Sequence, residues 1–357
     1  MAREEEQVPM EQLPTAYEWF EDQIAGHHQS IVKNGERQIG FLKELSGNLI
    51  LKLVQDGVRG ECEPRNRVVQ KKYANAGFRR KFELRKHVST LRIARWKPVD
   101  FSLAPPSVSS LDFLSSSIRP LRTHALQVQV YTRLAELRNH STVEEESGSS
   151  DNNEIIIRKL APLVPEFHGL TTVCLGNKDR EFLKLEDITG HFRQPCIMDI
   201  KMGKVTYDPL ATAEKAVREM SKYPEQKKLG FRILGYRLHQ EGAEVKVANK
   251  KWGLSWTSDN IEEAFNDYLQ LSSDRRSKIL SIFNEKLTQI HTWFSEQRVY
   301  HFYASSLLFV YDSAPSGEGP VAEIRMIDFS HTFPAHRSLD QNYTFGLDRI
   351  CEIFKRL

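Results

Sequence analysis

The sequence lacks the features of several protein classes. No apolar run approaches the roughly 18 residues of a membrane span, and the acidic start at residues 1–6 predicts no secretory signal. Cysteine is scarce and shows no CxxC or Cys/His spacing, which argues against a zinc site or a disulfide framework and predicts reduced thiols in an intracellular compartment. The four cysteines are Cys62, Cys174, Cys196 and Cys351.

The composition as a whole also lacks a large excess of charge of either sign. Lys and Arg total 50 against 47 acidic residues, a net charge of +3, so no nucleic-acid partner is indicated and any anion-binding charge must be local. The chain contains no GxxxxGK[ST] pattern and no HRD or DFG, which argues against a P-loop enzyme or an ordinary protein kinase. At 357 residues and 40% hydrophobic, it is long enough to bury one large core or two lobes.

The order of apolar and polar residues predicts strands first and helices later. Residues 38–43 and 48–53 flank a Ser-Gly turn and predict a hairpin, and a second pair of strands is predicted at 171–175 and 181–185. From residue 209 the period becomes helical at 213–220, and 267–297 contains a long amphipathic helix. Paired strands at 307–311 and 324–327 and a last helix at 343–357 complete the prediction.

Three segments do not fit this pattern. Residues 1–22 are acidic and predicted to be a disordered tail, and the polar stretch 142–154 is predicted to be a flexible loop. Residues 64–127 are basic and then rich in Pro and Ser, with poor periodicity. We interpret 64–127 as an insertion outside the packed fold or as a wrongly included exon.

The strongest chemical signal is the stretch 195–203, Pro-Cys-Ile-Met-Asp-Ile-Lys-Met-Gly. On a strand, Asp199 and Lys201 point to the same face, and Gly203 leaves room for a close turn. An acid and a base would then enter one cleft, as phosphate handling requires. A surface strand with a cross-paired acid and base would give the same Asp-x-Lys pattern.

Two further charged residues stand beside apolar strand residues. Asp328 ends an apolar strand, a position that suits a Mg²⁺ ligand but also a plain turn former. Lys52 lies within an apolar strand. Phosphotransferases place a cation for the nucleotide phosphates at such a position. The alternative is an edge strand that carries a solvated lysine. Residues 183–189 end a strand and could offer adenine a backbone edge at Glu186 and Ile188, although a plain loop would look the same.

A basic helix is the main signal for an anionic substrate. Lys215, Arg218 and Lys222 are spaced by three and four residues, so they share one helical face and could hold several phosphates together. A solvated charged helix is the alternative, since acidic residues stand nearby. Lys250 belongs to a second basic cluster that is equally ambiguous in isolation.

These motifs together resemble the inositol polyphosphate kinase family, and most closely its multikinase branch. The family signatures are the P-x-x-x-D-x-K-x-G pattern at 195–203, Ser-Ser-Leu-Leu at 305–308 and Ile-Asp-Phe at 327–329. Further similarity lies at 23–27, 185–187, 206–209 and 221–224. The resemblance covers nearly all of the chain from residue 23 onward, except 64–127 and 142–154.

The resemblance implies an α+β, two-lobed fold like that of a reduced protein kinase, with antiparallel sheets and ATP between the lobes. The N-lobe with its hinge would be 23–190 and the C-lobe 191–357, with a small helical segment at 204–260 holding the inositol phosphate. The family runs from the lysine strand directly into a helix, so the interruption at 64–127 departs from its pattern.

The resemblance also implies a role for each candidate residue. Lys52 would meet the ATP phosphates, Glu186 and Ile188 would form the adenine hinge, with Asp187 also at the nucleotide, and Asp199 would hold its ribose end. Asp328 would hold Mg²⁺ and the phosphates, and Lys201 would contact both the transferred phosphoryl group and the substrate. The inositol phosphate site would be lined by Lys215, Arg218, Lys222, Lys250 and His331.

The activity implied is ATP- and Mg²⁺-dependent phosphorylation of soluble inositol polyphosphates, from the trisphosphate to the tetrakis- and pentakisphosphate, by a monomer of the nucleus and cytoplasm. Use of phosphoinositide lipid stays open. The alternatives are a trisphosphate 3-kinase, a hexakisphosphate kinase, or a non-catalytic scaffold that keeps the fold.

Overall fold

The computed structural model of the protein describes residues 12–24, 30–33, 36–61, 123–140, 152–240, 242–314 and 321–357. The chain divides into two compact units, Met1–Cys62 with Arg122–Leu357, and Glu63–Leu121. All described residues belong to the first unit, so most of the predicted insertion at 64–127 lies outside them.

The strands and helices of the described residues mostly follow the predicted order. The strands are β1 (Tyr17–Trp19), β2 (Val32–Lys33), β3 (Glu36–Arg37), β4 (Leu42–Glu44), β5 (Leu49–Glu61), β6 (Phe167–Leu175), β7 (Lys178–Glu186), β8 (Pro195–Met202), β9 (Phe231–Leu238), β10 (Lys246–Ala248), β11 (Tyr300–Tyr303), β12 (Ser306–Asp312), β13 (Ala322–Ile327) and β14 (His331–Pro334). The helices are α1 (Thr123–His140), α2 (Asn152–Leu160), α3 (Ala213–Ser221), α4 (Gln226–Leu229), α5 (Lys250–Gly253), α6 (Ile261–Tyr268), α7 (Ser273–Glu296) and α8 (Gln341–Arg356), with a 3₁₀ turn at Ala161–Leu163.

The smaller lobe is built on an antiparallel five-stranded sheet in the order β1-β4-β5-β7-β6. The predicted hairpins are confirmed as β4–β5 and β6–β7. Leu42 and Leu51 pair across β4 and β5 and are fully buried, so they anchor the inner face of this sheet.

The larger lobe is built on a second antiparallel sheet, in the order β10-β9-β8-β12-β13. Along its central strand β8, successive side chains point to opposite faces of the sheet. Met198, Ile200 and Met202 pack into the main core, whereas Ile197 and Asp199 face the opposite side. The segment 187–194 joins β7 of the first sheet to β8 of the second, so the two lobes meet at this crossing.

Helix α7 supports the larger sheet because its apolar residues recur every three or four positions. Ile279, Phe283, Leu287, Ile290 and Phe294 are all buried. The C-terminal helix α8 is capped by the preceding residue Asp340, whose side chain accepts a hydrogen bond from the backbone N–H of Tyr343. Both helices therefore form where the sequence predicts them, although the N-terminal part of 267–297 belongs to α6 and the turn that follows it.

Three segment predictions and the prediction about the cysteines need correction. Residues 17–19 form β1 and Phe20 is buried, so the disordered tail predicted for 1–22 is wrong for this part, and residues 1–11 lie outside the described residues. Helix α1 begins at Thr123 and buries Gln127, so the predicted insertion ends too late at 127. Helix α2 begins at Asn152, which shortens the loop predicted at 142–154. Cys174 is disulfide-bonded while Cys196 and Cys351 are free, so the prediction that all thiols are reduced is wrong.

Within the described part of the chain, no helix combines the length and the apolar character needed to cross a bilayer.

Candidate active site

A cleft of about 670 Å³ lies between the two sheets. Its walls are mostly apolar, and three of its charged residues, Lys52, Asp199 and Asp328, lie where β5, β8 and the end of β13 come together. The lining residues are Phe20, Asp22, Gln23, Ile24, Phe41, Ile50, Lys52, Tyr131, Pro165, Leu185, Asp187, Ile188, Thr189, Ile197, Asp199, Leu308, Ile327 and Asp328. Apolar walls with a few convergent charges are typical of a ligand site.

Lys52 and Asp328 form an ion pair across the polar end of the cleft. Lys52 comes from the smaller sheet and Asp328 from the residue that follows β13 in the larger sheet, so the pair bridges the two lobes. Asp328 has a backbone φ of 67°, a left-handed conformation that a non-glycine residue adopts at a sharp turn. The structure therefore brings together these two sequence-predicted residues.

Asp199 lies beside this ion pair and is only 5% exposed. Its Oδ1 atom is buried without a hydrogen-bond partner. Burial, and then the nearby Asp328 carboxylate, raise the pKa of Asp199 to about 7. A buried acid with an unused oxygen beside a second acid is poised to take a cation.

Lys201 faces the same side of β8 as Asp199, as the alternation predicts. Burial lowers the pKa of Lys201, while the Asp328 and Asp199 carboxylates oppose that effect. Lys201 therefore stands among the acids at the polar end of the cleft, and it pairs in register with Ser306 on β12 and Arg232 on β9.

The predicted hinge residues have different positions. Ile188 and Asp187 line the cleft. Asp187 holds the turn, because its Oδ1 accepts hydrogen bonds from the Thr189 backbone N–H at 3.0 Å and from the Thr189 hydroxyl at 2.6 Å. The Glu186 carboxylate accepts a hydrogen bond from the Glu166 N–H at 3.1 Å and is not among the lining residues. Adenine contact by the Glu186 and Ile188 backbones stays a prediction.

His331 lies near Lys201 and is not among the residues that line the cleft. Its Nδ1 is 2.7 Å from Oδ2 of Asp208, which is 3% exposed, and Lys215 Nζ is 3.5 Å from the same oxygen. Burial lowers the pKa of His331, and the Asp208 carboxylate opposes this. Asp208 thus orients His331, a role that the sequence reasoning missed although it noted the motif at 206–209.

A second group of cations lies beyond Lys201. Lys250 has its pKa lowered by burial and then by the neighbouring Arg232 and Lys222 cations, while Glu219 opposes the shift. Arg232 is 4% exposed on β9. Sequence reasoning missed Arg232, although a charged residue within the apolar run 231–238 is the same signal that identified Lys52.

The three cations of helix α3 have different neighbours. Lys215 turns toward Asp208, and Lys222 pairs with Glu219 near Lys250. Arg218 is exposed, and its charge, like those of Lys222 and Arg232, helps to lower the pKa of Glu219, so its role at the acceptor stays a prediction. The helix itself is confirmed, and Thr212 caps its N-terminus by accepting a hydrogen bond from the Lys215 N–H.

The side chains around Asp328 bear on its predicted role as a metal ligand. No cluster of three or more metal-binding side chains occurs among the residues that the structure describes. Asp328 and the unpartnered oxygen of Asp199 nevertheless offer two adjacent carboxylates, which suit a hard cation that takes its remaining oxygens from phosphate and water.

The sequence matches a known family over just under half of its length. Residues 182–355 match the sequence model of a family described as inositol polyphosphate kinase. The chain is 34% identical over 169 residues to an inositol polyphosphate multikinase of Rattus norvegicus, a match that covers 46% of this chain and 42% of the relative. It is 29% identical over 213 residues to inositol hexakisphosphate kinase 3 of Mus musculus, covering 52% of this chain and 54% of the relative. The chain thus spans about half the length, or less, of these curated relatives.

The fold is similar to that of a solved structure. An inositol phosphate multikinase of S. cerevisiae, crystallised with ADP and Mn²⁺, superposes with a TM-score of 0.51 at 21% sequence identity and covers 65% of this chain and 95% of the yeast chain. The mixed helix and antiparallel-sheet architecture with two lobes, predicted from the resemblance, is confirmed. The region 182–355, which carries Asp199, Lys201 and Asp328, is thus similar in sequence to the inositol polyphosphate kinase family.

Proposed function

We propose that this chain is an ATP-dependent kinase that transfers a phosphoryl group to soluble inositol polyphosphates, from the trisphosphate to the tetrakis- and pentakisphosphate. One observation carries the proposal. Lys52, Asp328, Asp199 and Lys201 converge at the junction between an apolar cleft and a group of neighbouring cations. The names of the curated relatives and of the yeast structure support the same activity.

The apolar part of the cleft suits a nucleotide base. Ile50 and Leu185 of the smaller sheet and Ile197 and Leu308 of the larger sheet provide two walls between which a planar ring can lie, and Ile188 packs with the second wall. The charged end of the cleft then receives the phosphates, where Lys52 supplies a cation. The ADP in the yeast structure supports this assignment for ATP.

Asp328 and Asp199 are the residues that would hold Mg²⁺. Their carboxylate oxygens match the ligand preference of a hard divalent ion, and the unpartnered Asp199 Oδ1 needs a cation to offset its burial. When bound, the ion supplies charge neutralisation for the nucleotide phosphates. The Mn²⁺ in the yeast structure supports a divalent ion at such a site.

Lys201 has the central role among the protein groups. Phosphoryl transfer depends mainly on positioning and on stabilising charge on the transferred oxygens, with little demand for a strong base. Lys201 stands between the acids of the nucleotide side and the cations of the substrate side, so its ammonium group can contact both reactants. His331, oriented by Asp208, borders the same space and can hydrogen-bond an acceptor group.

The cations beside the polar end of the cleft favour a polyanionic acceptor. Burial lowers the pKa of both Lys201 and Lys250, which means that the charged forms are under-compensated in the protein alone. An acceptor with several phosphates supplies the missing negative charge. Inositol polyphosphates have this chemistry.

The test is product analysis by anion-exchange chromatography after incubation with Mg-ATP and inositol 1,4,5-trisphosphate. We expect tetrakis- and pentakisphosphate from the wild type, and a fall in kcat of at least about 100-fold in Asp328→Asn and Asp199→Asn, because a single preorganised electrostatic contact is worth roughly 10²–10³ in rate. Asp348→Asn makes the same chemical change on the exposed surface of α8 and should leave the rate unchanged.

Parallel reactions separate the alternatives. Product that stops at one added phosphate indicates a trisphosphate 3-kinase, and preferential use of the hexakisphosphate indicates a hexakisphosphate kinase. A phosphoinositide lipid is tested in mixed micelles. A folded wild type with no turnover of any of these acceptors would contradict the proposal and favour a scaffold.

A further inference from the structure

Helix α3 is amphipathic, but its charged side faces the protein. On that side, Lys215 Nζ is 3.5 Å from Oδ2 of the buried Asp208, and the charge of Glu219 acts on the buried Arg232. No residue of the helix is itself buried. A surface helix of a globular protein normally packs its apolar stripe against the core and turns its charges to water. Helix α3 has the reverse orientation.

The apolar side of α3 points to solvent. Val217 is 62% exposed and Met220 is 46% exposed, and their spacing of three residues makes them neighbours on one helical face, with the exposed Ala213 one turn before Val217. Leu210, which precedes the helix, is 65% exposed. Single exposed apolar residues are ordinary, but several close together on a helix with this orientation mark an interaction site. We call Ala213, Val217 and Met220, with Leu210, the outer apolar face.

The charges around the outer apolar face are mostly positive where they are exposed. The exposed charged residues of the segment 204–228 are Lys204, Glu214, Arg218, Lys222, Lys227 and Lys228. The remaining acids are Asp208, which is buried, and Glu219 and Glu225, which are each paired with a lysine. The segment therefore presents apolar side chains and cations to its surroundings, and an anionic surface is complementary to it.

We propose that the outer apolar face docks this protein peripherally onto a bilayer that contains anionic phospholipids. Val217 and Met220 enter the boundary between headgroups and acyl chains, and the exposed cations lie among the lipid phosphates, as in other interfacial amphipathic helices. The face is the convex side of a helix, which a fluid lipid surface can surround. Docking is a matter of adsorption, so it needs no lipid in the cleft and does not rest on the proposed kinase function.

The apolar part of the proposal is tested by sedimentation with vesicles of phosphatidylcholine, with and without phosphatidylserine and free of inositol lipid. We expect the wild type to bind only the vesicles with phosphatidylserine. The double variant Val217→Gln/Met220→Gln keeps good helix formers and should bind about 10- to 100-fold more weakly, because two apolar side chains no longer enter the bilayer. The matched control Leu45→Gln/Leu170→Gln removes two exposed apolar side chains from the smaller lobe and should bind like the wild type.

The electrostatic part is tested by removing cations. Lys227→Gln/Lys228→Gln should weaken binding to phosphatidylserine vesicles by about 10- to 30-fold at low salt, because each cation near an anionic bilayer contributes about fivefold. Binding by the wild type should weaken as salt is raised, since these exposed charges are screened. Lys278→Gln/Lys355→Gln removes two exposed lysines from α7 and α8 and should keep the wild-type affinity.

Stability provides a separate readout. Because no residue of α3 is buried, Val217→Gln/Met220→Gln should leave the unfolding midpoint unchanged. A lowered midpoint would overturn the proposal, because the two side chains would then pack within the fold. The helix should also keep Lys215 at Asp208, so turnover of a soluble acceptor by this variant should equal that of the wild type.

The remaining outcomes are decisive as well. A wild type that binds no anionic vesicles, or binds equally without phosphatidylserine, overturns the proposal, and so does a Val217→Gln/Met220→Gln protein that binds as tightly as the wild type. Self-association of the wild type in analytical ultracentrifugation, lost in the same variant, would assign the face to a second copy of the chain. A protein that binds vesicles but phosphorylates no inositol phosphate would contradict only the proposed kinase function.

Discussion

Replacing Asp199 by Asn should stabilise the ligand-free protein while removing its activity. Asp199 is 5% exposed, and burial followed by the Asp328 carboxylate raises its pKa from the ordinary value of 3.8 to about 7. Because the folded state holds this proton more tightly than the unfolded state, stability falls as the pH rises from about 4 to about 7 and stays low above that. A shift of about three pKa units corresponds to about 4 kcal/mol of lost stability at neutral and alkaline pH.

An asparagine at this position cannot ionise, so it does not cause this loss of stability at neutral and alkaline pH. We expect Asp199→Asn to be more stable than the wild type by up to about 4 kcal/mol above pH 7 and by close to zero near pH 4. The measurement is urea-induced unfolding across this pH range without nucleotide or divalent ion. A difference that is absent at pH 8, or that does not shrink as the pH falls, would refute the assignment of Asp199 as a carboxylate whose burial outweighs the effect of its neighbouring cations.

Asp267 provides a control because its pKa is shifted in the opposite direction. Its burial raises its pKa, but hydrogen bonds from Lys246 and Tyr236 outweigh this and leave the pKa of Asp267 lowered. Its contribution to stability is therefore present above the unfolded pKa and is lost as the pH falls. Asp267→Asn should destabilise the protein at neutral pH and have little effect in acid.

Two further changes test the packing and the acceptor side. Asp208→Asn should lower the pKa of His331 further, because the carboxylate that opposes the burial effect is gone, and an NMR titration of the imidazole that shows no lowering would contradict this contact. Gly346→Ala should destabilise the protein by about 1–3 kcal/mol, because the new Cβ would lie 2.0 Å from a backbone carbonyl oxygen. Helix propensity alone favours alanine at Gly346 by about 1 kcal/mol, so a raised melting temperature would show that the close approach is not limiting.

Local patterns predicted most of the secondary structure because the apolar residues repeat with the period of each element. The helix at 273–296 and the hairpin of β4 and β5 are examples. The ends of the poorly patterned segments were less predictable. Thr123 begins a helix and Tyr17 begins a strand in regions whose composition is polar or irregular, since contacts with distant residues stabilise them.

Part of the candidate site was predictable from sequence and part was not. The Asp-x-Lys spacing identified Asp199 and Lys201, because alternation on a strand is a local property. The basic helix suggested one common site, but the structure turns Lys215 toward Asp208 and leaves Arg218 exposed. Helical spacing defines which residues share a face, but it does not define what that face meets.

The sequence alone determined which side chains of β8 point the same way, which residues are apolar enough to form the two sheets, and that an acid ends β13. Only the tertiary structure decided which charges meet. Lys52 and Asp328 are 276 residues apart along the chain, and His331 and Asp208 are 123 apart. The raised pKa of Asp199 and the unsatisfied guanidinium nitrogens of Arg232 arise because distant parts of the chain bury these two residues. The local sequence does not show which side chains distant neighbours will desolvate.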